Sequence, residues 1–230
     1  MICAFVPSTE WGCQRPGPAP ARASARQAAP LAQYRLSMTT DDKSHGYNDH
    51  ADEFASRRHS TIGVREVERW AQALPPNAAV LDLGCGIGEP IGAALERAGC
   101  DIYGIDASPR MIDAFKRRLP QAHAACEAAE ESPFFNRTFD GIVAWGLMFL
   151  LPREAQEQII AKAARALKPN GSFMFTAPAP VCEWNDNLTG RRSTSLGADE
   201  YKRLLMNNGL SVIEELEDEG DNHYYVAIKM

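Results

Sequence analysis

The sequence has no apolar run that approaches the ~18 residues required by a membrane-spanning helix. It also has no excess of basic residues, because 24 Lys and Arg stand against 30 Asp and Glu and the formal net charge is −6. Such a balance provides no electrostatic footprint for a nucleic acid. We therefore expect a soluble protein whose partners are neither membranes nor nucleic acids.

Cysteine pairing motifs are missing as well. The six cysteines form no C-x-x-C motif and have no set of histidines nearby; they are Cys3, Cys13, Cys85, Cys100, Cys126 and Cys182. Neither a zinc site nor a redox dithiol is indicated, so we predict no metal. Scattered free thiols are typical of a reducing compartment, which predicts a cytoplasmic protein.

The first 37 residues differ in composition from the rest of the 230-residue chain. They contain four arginines, one acid and a Pro/Ala-rich stretch over 16–26, with no sustained apolar periodicity. Because such a segment buries little apolar surface, we predict a disordered extension over 1–37 and a single domain over 38–230. Two other interpretations of the extension stay open, namely a targeting segment and an over-extended reading frame whose natural start is Met38.

A glycine-rich turn after the apolar stretch Val80–Leu83 is the most informative segment for function. Its glycines, Gly84, Gly86 and Gly88, permit positive φ and remove the Cβ atoms that would keep a ligand off the backbone. Dinucleotide-binding turns have the spacing G-x-G-x-x-G, whereas this turn has G-x-G-x-G and a carboxylate, Asp82, two residues before it. An anion at that position repels phosphate and favours a cationic, nucleotide-like ligand.

Further motifs follow this turn in order. An apolar run ends in Asp106, 18 residues beyond Gly88, and an acid-small-Ser-Pro-x-Met pattern covers 106–111. Three more segments complete the series: Glu127-Ala128, Phe139–Ala144 and Ala166–Ser172. By these motifs the sequence over Tyr47–Lys229 resembles the class I S-adenosylmethionine-dependent methyltransferases, which implies an enzyme of that type.

The resemblance implies S-adenosylmethionine as the cofactor. It implies that Asp106 accepts from both ribose hydroxyls and that Glu127 accepts from the adenine amino group, although the family usually has Asp there and one residue fewer before Pro133-Phe134. The cofactor-binding residues that it predicts are Asp82, Gly84, Cys85, Gly86, Gly88, Asp106, Ala107, Met111, Glu127, Ala128, Ala144 and Trp145. Asp106 could instead serve only as a helix cap.

Alternating helix and strand segments predict an α/β fold with a mainly parallel sheet and right-handed crossovers. The predicted helices are 47–56, 62–74, 89–98, 109–118, 153–167 and 198–207, and the predicted strands are 79–84, 101–106, 122–126, 139–145, 171–177, 210–217 and 222–229. Only an acidic turn joins the last two strands, so we predict an antiparallel hairpin at the sheet edge. The resemblance implies a Rossmann-like, doubly wound, seven-stranded sheet in the order 3-2-1-4-5-7-6 with an antiparallel last strand.

The methyl acceptor is expected to lie just past the fourth predicted strand, at Ala144-Trp145-Gly146-Leu147. This segment lacks the Asn/Asp-Pro-Pro-Tyr/Phe tetrad of methyltransferases that act on adenine or on protein glutamine, which excludes those two families. Aromatic and acidic residues recur around the expected site, Trp184 and Asp186 among them, and such a mixture suits a small, flat or cationic molecule, so we predict a small-molecule acceptor. The predicted substrate-binding residues are Tyr47, Met148, Trp184 and Tyr224. We predict His223 and Trp145 as catalytic residues, because histidine suits proton transfer near neutral pH and His223 follows an acidic stretch. Alternatively, His223 is an ordinary strand-end residue and Trp145 only packs.

Two other functions stay open. A non-catalytic module that binds the cofactor and regulates a partner would have the same motifs. A dinucleotide-dependent oxidoreductase would need a third glycine at the other spacing and no Asp82.

Overall fold

The computed structural model describes residues 42–57 and 61–230. The predicted disordered extension over 1–37 and the start at Met38 lie outside these residues. Within the described part of the chain, no helix is both long and apolar enough to cross a membrane.

A seven-stranded sheet forms the centre of the described domain. The strands in chain order are β1 (Ala79–Leu83), β2 (Asp101–Asp106), β3 (His123–Cys126), β4 (Phe139–Ala144), β5 (Leu167–Thr176), β6 (Cys182–Asn185), β7 (Arg192–Ser195), β8 (Leu210–Glu217) and β9 (His223–Lys229). The sheet order is β3-β2-β1-β4-β5-β9-β8. Neighbouring strands are parallel except at β9, which runs antiparallel to both β5 and β8. Numbered within this sheet, the order is 3-2-1-4-5-7-6, which confirms the predicted fold.

Helices cover both faces of the sheet. They are α1 (Ala51–Arg57), α2 (Val64–Gln72), α3 (Ile91–Arg97), α4 (Pro109–Arg118), α5 (Arg153–Ala166) and α6 (Ala198–Asn207). Side chains of α2, α3 and α4 pack in one core cluster with Val80 of β1, whereas those of α5 and α6 pack in another with Leu81 and Leu83. This alternation along β1 follows from the two-residue period of a strand buried on both faces.

The start of α4 shows why several boundaries were predictable. Ser108 has extended dihedral angles, and its hydroxyl accepts a hydrogen bond from the amide of Met111 at 3.2 Å. Pro109 occupies the first helical turn, where its missing N–H costs nothing. The sequence Ser-Pro therefore marks the helix start directly.

The first helix is shorter than the predicted 47–56, because it begins only at Ala51. Residues 43–50 form turns instead. The carboxylate of Asp42 organises their start by accepting from the amides of Ser44 at 3.1 Å and Gly46 at 2.9 Å. Side-chain acceptors of this kind compete with the helical hydrogen-bond pattern.

A second, two-stranded sheet of β6 and β7 was not predicted. It pairs Cys182 with Ser195 and Asn185 with Arg192. The connecting turn is built on Asp186, whose Oδ1 accepts from the amides of Leu188 and Thr189. Two strands of four residues each give too short an alternation to be recognised in the sequence.

Candidate cofactor and acceptor cleft

A cleft opens at the carboxyl ends of β1, β2 and β4, the position where open α/β sheets bind their ligands. Eight of the predicted site residues line it: Tyr47, Gly84, Gly86, Asp106, Ala107, Met111, Glu127 and Trp145. The ends of the strands, the start of α4 and the segment before α1 bring these residues to one edge of the sheet although they are far apart in the sequence. The cleft is therefore the candidate functional site.

The glycine turn forms the floor of the cleft. Gly84 and Gly86 have φ values of 71° and 52°, in the left-handed region that favours glycine. The amides of Gly84 and Cys85 both donate to the carbonyl of Ile105, at 2.8 and 3.0 Å. A Cβ atom at Gly84 would lie 3.2 Å from the side chain of Leu147, so the glycine also keeps the cleft open.

Asp106 connects this turn to the start of α4. Its Oδ2 accepts from the amide of Gly86 at 2.9 Å, and its Oδ1 accepts from the amide of Ser108 at 2.8 Å. Burial raises the pKa of Asp106 to about 6, against the opposing effect of these two N–H donors. Each carboxylate oxygen retains acceptor capacity, so the side chain can also bind a pair of hydroxyl groups.

Asp82 lies beneath the turn and does not line the cleft. It is 2% exposed, and among the described residues its Oδ2 has no hydrogen-bond partner. Burial, together with a smaller contribution from the negative charge of Asp106, raises the pKa of Asp82 to about 7. A cation bound in the cleft would offset this unfavourable burial of a carboxylate.

The part of the cleft that was predicted to bind adenine differs slightly from the prediction. Glu127 lines it, and its amide donates to the carbonyl of Asp106 at 3.0 Å. The next lining residues are Ala129 and Glu130, and Ala128 is not among them. In this loop the lining therefore continues one position after the predicted Ala128.

Several other predicted residues contribute from behind the cleft. Cys85 is buried, and its Sγ lies 2.9 Å from the position of a Cβ atom on Gly104. Gly88 faces Phe115 and Leu119 of the core. Ala144 and Met148 are fully buried. These residues support the cleft walls without lining it.

Trp184 and Tyr224, predicted to bind substrate, also lie outside the cleft lining. Trp184 is in β6 and packs on Phe149 with ring centroids 5.4 Å apart. Tyr224 is fully buried, and its hydroxyl accepts from the indole N–H of Trp145. Tyr224 thus contacts a cleft residue while having no surface in the cleft.

The structure does not bring His223 to the cleft. Its Nδ1 lies 3.4 Å from Glu217 Oε1 and its Nε2 lies 3.3 Å from Glu215 Oε2. It lines a separate small cavity with Phe149 and Thr176. The histidine that lines the cleft is His45, within the described residues.

The main feature that the sequence predicted only in part is the chain segment over 42–56, of which Tyr47 alone was expected at the site; we call this segment the strap. The strap contributes Lys43, Ser44, His45, Tyr47 and Phe54 to the cleft. Its only sequence signal is the Asp42-x-Ser44-x-Gly46 turn, which marks a loop but not its position.

Polar contacts hold the strap on both sides of the cleft. On the hairpin side, Asp42 Oδ2 accepts from Arg191 at 2.7 Å and Tyr47 donates to Asp186 at 3.1 Å. On the α4 side, Asn48 Oδ1 accepts from the Ser108 hydroxyl at 3.0 Å. Asp52 Oδ2 lies 2.6 Å from Arg110 Nη2.

The side of the cleft where the acceptor is predicted to bind is apolar. Leu147, Leu150 and Leu151 line it after β4, together with Trp145. Gln156 fastens this segment to the β6–β7 hairpin, because its side-chain amide donates to the carbonyls of Leu151 at 2.8 Å and Thr194 at 3.0 Å. The post-β4 segment that lines the cleft is therefore tied to the hairpin behind it.

A family model described as a methyltransferase domain matches residues 80–171. An uncharacterized methyltransferase from Synechocystis is 35% identical over 123 residues, which cover 50% of this chain and 57% of that protein. The chain spans about half the length of the first curated relatives that it matches.

Another relative, 27-O-demethylrifamycin SV methyltransferase from Amycolatopsis mediterranei, is 33% identical over 191 residues, which cover 76% of this chain and 68% of that protein. In fold, the chain is similar to magnesium protoporphyrin IX methyltransferase from Synechocystis, in a structure with bound S-adenosylmethionine. The TM-score is 0.66 and the sequence identity is 16%, and the alignment covers 85% of this chain and 100% of that chain. With the family match and this extended identity, the chain belongs to the class I S-adenosylmethionine-dependent methyltransferases.

Proposed function

We propose that this protein transfers a methyl group from S-adenosylmethionine to a small-molecule acceptor. The observation that carries the proposal is the pair of aspartates at the glycine turn. Asp106 is placed to bind hydroxyls, and the buried Asp82 has an oxygen without a partner among the described residues. A ligand that has a ribose and a positive charge fits both.

The cleft residues fit the rest of this cofactor. The turn at Gly84 and Gly86 presents backbone without side chains, which suits the amino-acid portion. Met111 and Glu127 line the part of the cleft beyond Asp106, where an apolar contact and an acceptor suit adenine. When bound, the cofactor supplies an electrophilic methyl group on a sulfonium whose departure leaves a neutral thioether.

The chain's own contribution is to align the acceptor and to exclude water. Trp145 and the leucines after β4 form one wall, and Tyr47 and Phe54 of the strap form the opposite one. A pocket with mainly apolar walls and few polar groups is typical of small-molecule sites. The relatives named above, where their names specify an acceptor, act on rifamycin and porphyrin compounds, in agreement with a small acceptor. We keep the cytoplasm as the predicted location.

Binding and labelling experiments separate the candidate functions. Calorimetric titration with S-adenosylmethionine, S-adenosylhomocysteine and NAD should show binding of the first two only, because the two aspartates disfavour a pyrophosphate. Methyl-labelled cofactor incubated with a small-metabolite extract should then yield label in a low-molecular-weight product. Binding without any labelled product would favour the non-catalytic module, and NAD binding alone would contradict the proposal.

The pH dependence of cofactor binding provides the first prediction. The affinity for S-adenosylhomocysteine should fall about tenfold between pH 8 and pH 6, because protonation of Asp82, whose pKa is about 7, removes the charge that attracts the ligand's ammonium. Calorimetry over this range measures the effect. Asp82→Asn should bind weakly at pH 8 and have a flatter profile. A wild-type affinity that does not change with pH would contradict this role of Asp82.

The two histidines provide the second prediction. Once labelling identifies an acceptor, His45→Ala should lower kcat by about 10²-fold if a proton must leave the acceptor, since a positioned base typically contributes 10²–10⁴-fold. His223→Ala should leave kcat within about twofold, because its ring faces Glu215 and Glu217 outside the cleft. The reverse ranking would restore His223 as the base. Equal activity of both variants would show that alignment alone is sufficient.

A further inference from the structure

We propose that Tyr224 and Asp218 are positioning residues that fix the indole ring of Trp145 as a wall of the cleft, with its N–H turned away from the ligand. The inference rests on the proposed function in that the ligand is taken to be the cofactor. Nothing in the family comparison assigns these two residues a role.

A buried chain of hydrogen bonds carries the proposal. Trp145 Nε1 donates to the hydroxyl of Tyr224 at 2.7 Å, and this hydroxyl donates to Asp218 Oδ2 at 2.6 Å. The three residues are at most 7% exposed. Since an indole can only donate a hydrogen bond and an ionised carboxylate can only accept one, this series of hydrogen bonds runs from Trp145 through Tyr224 to Asp218.

These hydrogen bonds determine which part of Trp145 is available to a ligand. Trp145 lines the cleft, but its single polar group is already bonded to Tyr224. The ring therefore offers carbon surface to the cleft and no hydrogen-bond donor. Rotation of the ring into the cleft would break this bond and leave the buried hydroxyl of Tyr224 without the N–H that it accepts from, which is unfavourable.

Asp218 is itself held by the turn between β8 and β9. Its Oδ1 accepts from the amides of Gly220 at 2.8 Å and Asn222 at 3.0 Å, and its Oδ2 accepts from the Asn222 side chain at 2.9 Å. The carboxylate is thus fixed before it contacts Tyr224. A turn at the sheet edge thereby determines the orientation of a ring in the cleft.

Gly63, directly before α2, closes the junction from the other side. A Cβ atom at Gly63 would lie 2.7 Å from both Trp145 Nε1 and the hydroxyl of Tyr224. Its φ of 79° also favours glycine. The backbone therefore packs closely against this hydrogen bond, at a position where any larger residue would displace one of its two partners.

The neighbouring residue on β9 provides a matched control. Tyr225 is also fully buried, but it packs in the core cluster with α5 and α6, on the opposite face of the sheet. Among the described residues its hydroxyl has no hydrogen-bond partner. Removing this hydroxyl changes a tyrosine of equal burial without affecting Trp145.

Calorimetry with S-adenosylhomocysteine on the full chain tests the proposal. Tyr224→Phe should raise the dissociation constant about three- to tenfold, the change expected when one buried hydrogen bond no longer holds the ring. Tyr225→Phe should remain within about twofold of wild type. Unchanged binding by Tyr224→Phe, or an equal loss in both variants, would overturn the proposal.

A cofactor-free measurement separates this inference from the proposed function. Near-ultraviolet circular dichroism of the ligand-free protein should change in the tryptophan bands when Tyr224→Phe is made in the wild type. The change in these bands should be absent when the same substitution is made in a Trp145→Phe background. If wild type does not bind S-adenosylhomocysteine, the proposed function fails. The circular dichroism spectra alone then test whether Tyr224 positions the ring of Trp145. Equal changes in the two backgrounds would overturn this role.

Discussion

Asp106→Ala should raise the dissociation constant for S-adenosylmethionine by about a hundredfold. Hydrogen bonds to a charged group contribute about 1.5–3 kcal/mol each, so the loss of two bonds to the ribose hydroxyls is sufficient for this change. The variant also removes the acceptor for the amides of Gly86 and Ser108, which loosens the floor of the cleft. Isothermal calorimetry on the purified variant measures the effect.

Asp101→Ala is the matched control for this prediction. Asp101 begins the same strand, β2, at the end remote from the cleft, and its carboxylate accepts from the Tyr103 hydroxyl at 3.0 Å. Its removal should leave cofactor affinity within about twofold. Equal losses in the two variants would mean that any acid lost from β2 weakens binding, and Asp106 would lose its assigned role.

Gly104→Ala should lower the free energy of unfolding by about 1–3 kcal/mol, the usual cost of overpacking a core. A Cβ atom at Gly104 would lie 2.6 Å from Cζ of Phe115 and 2.9 Å from Sγ of Cys85. Phe115 is fully buried between α4 and the sheet, so its ring has little room to move. Urea denaturation followed by circular dichroism measures the change.

The double variant Gly104→Ala/Phe115→Leu serves as the control, because a smaller side chain at 115 makes room for the added methyl group. It should be more stable than the sum of the two single substitutions predicts, since their effects are coupled. Additive effects would show that the lost stability of Gly104→Ala does not come from contact with Phe115. Cofactor affinity should fall in Gly104→Ala as well, because Cys85 belongs to the glycine turn.

The strands and helices of the main sheet were predictable because each carries its own local signal, whereas the order of the strands followed from the resemblance to the methyltransferase family. Val80–Leu83 is a short apolar run before glycines, and Ser108-Pro109 is a helix start that needs no tertiary information. The acidic turn before β9 indicated the reversed last strand in the same way. In these places local chemistry and the final fold agree.

The cleft was predictable on its cofactor side and much less so on its acceptor side. Gly84, Gly86 and Asp106 are fixed by the strands that precede them, so sequence spacing determines where they lie. The strap reaches the cleft only through contacts with residues far along the chain, such as Arg191 with Asp42. Spacing contains no information on such contacts.

His223 and Tyr224 show the same limit at single-residue level. Both begin β9 and were expected at the cleft, but successive side chains of a strand point to opposite faces. Tyr224 faces Trp145, whereas His223 faces Glu215 and Glu217 of β8. The sequence predicted the strand correctly, but the face of each side chain depended on a register that only the structure determines.

The strap over 42–56 is held at exposed ends and has its apolar side chains in the cleft. The Asp42–Arg191 and Asp52–Arg110 ion pairs are largely solvent-exposed, and such pairs are weak and are screened by salt. Raising the ionic strength therefore weakens the attachment of the strap at these ion pairs, whereas the burial of Phe54 is not screened by salt.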